Sequence, residues 1–353
     1  MKEIRALTSL RGVAAIWVFL FHLDLERPLF PHVLRDGLAI NRGTIAVDLF
    51  FVLSGFVLAL TYRASFRTRP MRVAYPDFLL RRVARVMPLN AAIVAVLAAA
   101  VWLAPARAGD SFAAALDPWA VIANLLLIQD WGIADSIDKP SWSVSVEMAV
   151  YLVYPLLLAL AWSRRLWILA ALAGVASLWW LAWVGQGSVS QGLVIGNFIR
   201  GFAGFMFGLL CFRAFSSGAV PSVVGRFDFV ALLVFWSALL LSSSDLPPIL
   251  ACPAVILALA AERGPIARLL RLGPLHFLGQ ISYSVYLVHY CVLGGLNLLP
   301  IGSPRLYGAA ALALTLAIST ATYYGIERPA RRWIAGVGPA VTLGVARMRR
   351  GES

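Results

Sequence analysis

An arginine and a histidine share the first apolar stretch of this chain, Arg11 and His22 within the run from Ala6 to Leu23. Ionisable side chains in a segment bound for lipid are costly and mark chemistry by default. At ~100° and 1.5 Å per residue the two lie on nearly one helix face, roughly 16 Å apart along the axis. One stripe therefore offers a guanidinium suited to phosphate and an imidazole suited to act as a catalytic base.

Other polar residues sit where they can join this stripe. Asp48 opens the second apolar run, Val47 to Phe56, at about the depth expected for His22, where a carboxylate can orient an imidazole and stabilise its charged form. It can equally be an interfacial cap or a partner of Arg42. Gly55, seven residues on, shares its face and permits close helix approach. Ser143, Glu147 and Tyr151 follow one another at i, i+4 and i+8. Glu147 can position or deprotonate a hydroxyl there, whereas the plainer alternative is a capping pair with Ser143. Arg81, Arg82 and Arg85 precede Pro88, and Arg328, Arg331 and Arg332 follow the last apolar run; topology alone puts arginines there, and a polyanion would also bind them. Arg200, with Asn197 on its face, reads as a structural ion-pair member, and Gly201, Gly204 and Gly208 as packing positions. Ser282, Tyr286 and His289 form a further stripe in which His289 reads as a hydrogen-bonded core histidine.

The elements that must carry these groups follow from composition. Hydrophobic residues make up 61% of 353, charged residues 13%, and the mean hydropathy is +0.82, far more apolar sequence than one soluble core uses. The expected fold class is all-α, a polytopic membrane helix bundle. Candidate spans are 6–24, 45–62, 84–105, 143–162, 166–184, 193–212, 227–243, 248–262, 277–298 and 306–326, about ten crossings. A shorter apolar piece, Trp119 to Ile128, is flanked by Asp110, Asp117, Asp130, Asp135 and Asp138 and reads as re-entrant or interfacial. The net charge of +13 comes from arginines in short connections, so positive-inside anchoring accounts for it and no nucleic-acid partner is expected.

With the short piece not crossing, the basic connections fall on one side and both termini are cytoplasmic. The connections from Asp24 to Thr44, Ala106 to Ser141, Gly185 to Gly192, Ser242 to Pro247 and Pro300 to Arg305 face outward, which sets His22 near the outer face. The N-terminal run reads as a retained span rather than a cleaved signal, because Arg11 interrupts it and no small-x-small site follows. Cys211, Cys252 and Cys291 lack metal-ligand spacing and read as buried thiols, and no metal site is expected. Residues 1–333 read as one transmembrane domain and 334–353 as a basic cytoplasmic tail.

Taken in order, Arg11 and His22, VDLFFVLSGF, RRVARVMP, SWSVSVE, FLGQISYSVYLVHY and GIERPARR resemble the membrane-bound acyltransferase 3 family over nearly the whole chain. The resemblance implies a bacterial inner-membrane O-acyltransferase. It would move an acyl group, usually acetyl, from cytoplasmic acyl-CoA to a hydroxyl of an extracytoplasmic glycan or related acceptor, with membrane lipid around it. Matched residue by residue, the family's essential positions fall on His22, Asp48, Ser143 and Glu147 as catalytic groups. Arg11, Arg82, Arg85, Phe50, Phe51, Ser54 and Gly55 would bind the acetyl-CoA donor. Some relatives carry a C-terminal hydrolase-like domain, and only a short arginine-rich tail follows Trp333 here. Two other classes stay open at this point: a transporter or flippase of a lipid-linked or anionic solute, with Arg11, Asp48, Glu147 and Arg200 along its path, and an inactive membrane sensor.

Overall fold

The structure is a computed structural model and describes residues 3–103, 117–189, 194–218 and 223–333. The expected basic tail 334–353 lies outside the described residues, as do stretches 104–116 and 190–193 of two expected outer connections. Among the described residues there are fourteen α-helices and no strand. Helices close every backbone hydrogen bond within one segment, which apolar runs in lipid require.

In chain order they are α1 (Arg5–Glu26), α2 (His32–Gly37), α3 (Ile45–Thr68), α4 (Met71–Leu103), α5 (Pro118–Leu126), α6 (Trp142–Trp162) and α7 (Leu166–Val184). Then come α8 (Val194–Ser216), α9 (Asp228–Leu241), α10 (Leu246–Ala260), α11 (Pro265–Leu270), α12 (Gly273–Gln280), α13 (Ser282–Asn297) and α14 (Pro304–Thr322). Among the described residues seven segments are long and apolar enough to span a membrane, those of α1, α3, α4, α6, α7, α8 and α14. Helices α9 and α10 are apolar but have only 14 and 15 residues, about 21 and 23 Å of rise against ~30 Å of hydrocarbon. Apolar side chains face outward as expected when lipid is the solvent: on α7, Leu172 and Trp183 are 60% and 69% exposed while Gly174, Leu178 and Leu181 are buried. The chain is a polytopic helical membrane protein.

The described residues divide into two compact units. The first comprises residues 1–61 and 156–316. Within it α1 packs along α12 and α13, α9 pairs with α10, and α7 with α8. Small residues allow a close approach of α3 and α8. A Cβ on Gly208 would fall against the Val52 carbonyl and 2.6 Å from the Phe56 nitrogen, and one on Gly55 against the Phe205 carbonyl. Both contacts are with backbone, which cannot rotate away. Gly208→Leu is therefore expected to force these helices apart at a cost of about 1–3 kcal/mol or more, read as a lower unfolding temperature in detergent. An unchanged midpoint would contradict the packing role.

The described part of the second unit comprises residues 62–103, 117–155 and 317–333. Its core is aromatic: Phe78 stacks on Tyr154 with centroids 4.6 Å apart, and Tyr62, Phe66 and Tyr151 meet Phe78 edge-on. Helix α5 has nine residues, too few to cross, and is fixed by one buried amide. Asn90 donates to the Asn124 carbonyl at 2.7 Å; the Asn124 side chain donates to the Ala120 and Asp135 carbonyls and accepts from the Ile137 N–H.

Candidate functional site

In the first unit α1 carries Arg11 and His22, and α13 brings a second imidazole to the first. His289 Nε2 lies 3.1 Å from His22 Nδ1, and the rings are 5.0 Å apart between centroids. Each ring also folds back on its own helix: His22 Nδ1 is 3.1 Å from the Val18 carbonyl, and His289 Nδ1 is 3.0 Å from the Val285 carbonyl. His289 is fully buried and His22 half-buried. Phe19, Phe21 and Tyr290 meet the two rings edge-on, so the pair sits in an aromatic, largely apolar setting. Beyond His22 the chain turns on Asp24, whose carboxylate accepts from the Leu29 and Phe30 N–H groups and pairs with Arg35 at 2.7 Å. This holds the C-terminal end of α1 in place.

Asp48, expected to orient His22, engages a different partner. Arg200 donates to its two oxygens at 3.0 and 2.8 Å, and the side chains are 1% and 2% exposed. The physical reason is geometric: a guanidinium fork matches both carboxylate oxygens at once, where an imidazole matches one. Arg42, the other partner considered for Asp48, is taken by Asp245 and by the carbonyls of Leu239, Ser242 and Ser244. Arg200 is thus an ion-pair member, in the role its position suggested.

The other positions matched on α3 lie against neighbouring helices. Phe50 meets Tyr286 of α13 edge-on at 5.6 Å and Phe51 meets Phe205 of α8 at 6.5 Å. Gly55 lies under the Phe205 backbone and Ser54 is half-buried.

Arg82, Arg85, Ser143 and Glu147 belong to the second unit. Arg82 donates to the Tyr62 hydroxyl at 2.7 Å and lies 5.0 Å from that ring, with Tyr151 and Glu147 close enough to interact electrostatically. Its buried Nε has no hydrogen-bond partner. Arg85 pairs with Glu327 at 2.9 Å, and Arg331 approaches the same carboxylate at 3.6 Å. Glu327 is 1% exposed and ends a π-helical turn, Tyr323–Glu327, of the kind that recurs at functional sites. Ser143 is buried and donates to the Pro140 carbonyl at 3.2 Å. Just ahead of it Asp138 is buried with neither carboxylate oxygen hydrogen-bonded.

Burial pushes the Asp138 carboxyl well above the usual carboxylate range. Between the ordinary and the raised value the folded chain holds one more proton than the unfolded chain. Stability is then lost as pH rises through that window, by about 1.4 kcal/mol per pH unit. Asp138→Asn is expected to gain stability over the parent progressively with rising pH, read from unfolding midpoints across the window. A pH-independent difference would refute the neutral acid.

Two participants escaped sequence reasoning. His289 was legible as a buried histidine, but nothing in the spacing ties it to His22, 267 positions away. Glu327 stands in the GIERPARR motif beside Arg328, Arg331 and Arg332; a lone acid among three cations is the signal that could have found it.

Among the described residues no group of three or more His, Cys, Asp or Glu could hold a metal ion. No disulfide forms, and Cys211 and Cys252 are buried.

The chain is 29% identical over 346 residues to the acyltransferase MdmB of Streptomyces mycarofaciens, covering 82% of this chain and 79% of the relative. It is 24% identical over 370 residues to the peptidoglycan O-acetyltransferase OatA of Listeria monocytogenes, covering 94% of this chain and 56% of the relative. To the putative membrane-bound transacylase BcsY of Komagataeibacter xylinus it is 26% identical over 340 residues, covering 92% and 82%. The chain thus spans little more than half the length of the peptidoglycan relative. No solved structure matches it. Residues 4–324 match the acyltransferase domain family, nearly the whole helical region just described, and the chain therefore belongs to the membrane-bound acyltransferase 3 family.

Proposed function

We propose that this multi-pass membrane acyltransferase moves an acetyl group from cytoplasmic acetyl-CoA to a hydroxyl of an extracytoplasmic glycan, in the bacterial inner membrane with both termini cytoplasmic. The observation that carries the proposal is the imidazole of His22, half-buried near the C-terminal end of α1 and held at Nδ1, on the helix whose other end bears Arg11. A pantetheine arm is slender and uncharged, and it is on the order of the ~16 Å that separates Arg11 from His22 along α1. The phosphates can then stay at the cytoplasmic end while the thioester reaches His22.

His22 takes the proton of the acceptor hydroxyl, and the oxygen attacks the thioester carbonyl. The carbon–sulfur bond breaks, and the departing thiolate recovers that proton from His22. The products are an O-acetyl ester and coenzyme A. Arg11 binds the charged end of the donor; Arg82 and Arg85 are further phosphate-binding candidates, Arg82 with an N–H still to satisfy. Asp48 supports the reacting region through Arg200, and in the second unit Ser143 and Glu147 are candidates for binding the acceptor.

The acceptor class is supported by the name of the Listeria relative, a peptidoglycan O-acetyltransferase. The test is to incubate purified protein in detergent with acetyl-CoA and follow free thiol with and without peptidoglycan or exopolysaccharide fragments. Thiol release that depends on the glycan supports the proposal. Movement of a solute without thiol release would replace it with transport.

A further inference from the structure

We infer that His289 is a positioning residue that fixes the tautomer of His22, so that Nδ1 of His22 keeps its hydrogen and Nε2 is the nitrogen that handles the acceptor proton. The inference deepens the reaction proposed above and rests on it only for the kinetic part.

The hydrogen-bond chain has one self-consistent direction. The Val285 carbonyl can only accept, so His289 Nδ1, at 3.0 Å from it, carries a hydrogen. A neutral imidazole has one N–H, and the fully buried, aromatic surroundings of His289 favour the neutral ring. Its Nε2 then presents a lone pair. His22 Nδ1 lies 3.1 Å from that lone pair and 3.1 Å from the Val18 carbonyl, so it faces two acceptors at once. Only a hydrogen on His22 Nδ1 satisfies both, as a three-centre bond. The other tautomer would set lone pair against lone pair at two contacts. In neutral His22 the lone pair is consequently at Nε2.

The arrangement does the work of the carboxylate in a Ser-His-Asp triad with an uncharged group. When Nε2 takes the acceptor proton, the new imidazolium keeps its Nδ1–H on His289 and Val18, and no proton moves along the chain. A neutral acceptor suits the apolar setting, where an unpaired carboxylate would be expensive to bury. It also explains why Asp48 can be given over to Arg200 while His22 stays oriented.

The experiment uses the full-length protein in detergent, labelled with 15N in histidine. The chain has four histidines, His22, His32, His276 and His289, so a His22→Ala spectrum assigns the signals of His22 by difference. The expected wild-type result is a hydrogen on Nδ1 and none on Nε2 at a pH where His22 is neutral. His289→Leu removes the acceptor and is expected to give mixed tautomers at His22, with kcat lowered about tenfold or more and the KM for acetyl-CoA little changed. His289→Gln, whose amide oxygen can take the place of Nε2, is expected to keep the tautomer and most of the rate. A purely structural His289 would shift neither the tautomer nor the kcat-to-KM balance in this pattern.

The inference is overturned if wild-type His22 carries its hydrogen on Nε2, or if His289→Leu keeps both tautomer and rate. Should His289→Leu not fold, the wild-type and His289→Gln spectra still decide. The tautomer is read without turnover, so failure of the acyl-transfer proposal shows up separately, as absent thiol release with the Nδ1–H signal in place.

Discussion

Asp48→Ala is expected to be the most destabilising single change in the first unit, at about 3–5 kcal/mol. It leaves the Arg200 guanidinium, 1% exposed, without the carboxylate that takes two of its N–H groups. The penalty is mainly that of a charge left in a dry interior, not the net strength of the pair. Replacing both partners by apolar residues of similar size, Asp48→Leu with Arg200→Met, is therefore expected to recover much of the lost stability. Denaturant or thermal unfolding in detergent measures both, and a double-mutant cycle isolates the coupling. Equal losses that simply add would show that the two side chains do not depend on one another.

His22→Ala carries the largest expected effect on activity. General acid–base catalysis by a positioned side chain is worth on the order of 10²–10⁴-fold, and the substitution removes the only group assigned to that task. Glycan-dependent thiol release should fall by that factor while acetyl-CoA binding and the unfolding midpoint change little, because His22 is half-buried and Arg11 remains. A variant that binds the donor as before yet turns over at the wild-type rate would remove His22 from the chemistry.

Much of the helical framework was legible because lipid imposes a single rule on the sequence, a long run of apolar residues closing its own hydrogen bonds. The runs at 45–62, 166–184 and 193–212 correspond to α3, α7 and α8; α7 matches at both ends, while α3 and α8 run about six and four residues farther at their C-terminal ends. The ends were harder. Helix α4 begins at Met71, not 84, since a helix may carry Arg81, Arg82 and Arg85 where lipid may not, and Pro76 and Pro88 are accommodated inside it. The run 277–298 read as one span, yet it breaks at Ile281 into α12 and α13. Gly279 presses there on the backbone of Thr8 and Ser9 in α1, a tertiary contact no local pattern announces.

The candidate site divides in the same way. Residue types and depth marked His22, Asp48, Arg200 and Glu147 as groups needing partners. Which partner each finds depends on pairs far apart in sequence, Asp48 with Arg200 across 152 residues and His22 with His289 across 267. Helical periodicity says which face a residue occupies and nothing about which helix will meet it.

The most direct test of acyl transfer across the membrane is a sided one. The protein is reconstituted in vesicles with acetyl-CoA sealed inside and a soluble glycan acceptor outside, and acetyl ester and free thiol are followed in each compartment. The result expected is ester on the outer glycan matched by thiol within the lumen, both lost in His22→Ala. Ester that forms only when donor and acceptor share a compartment would contradict it.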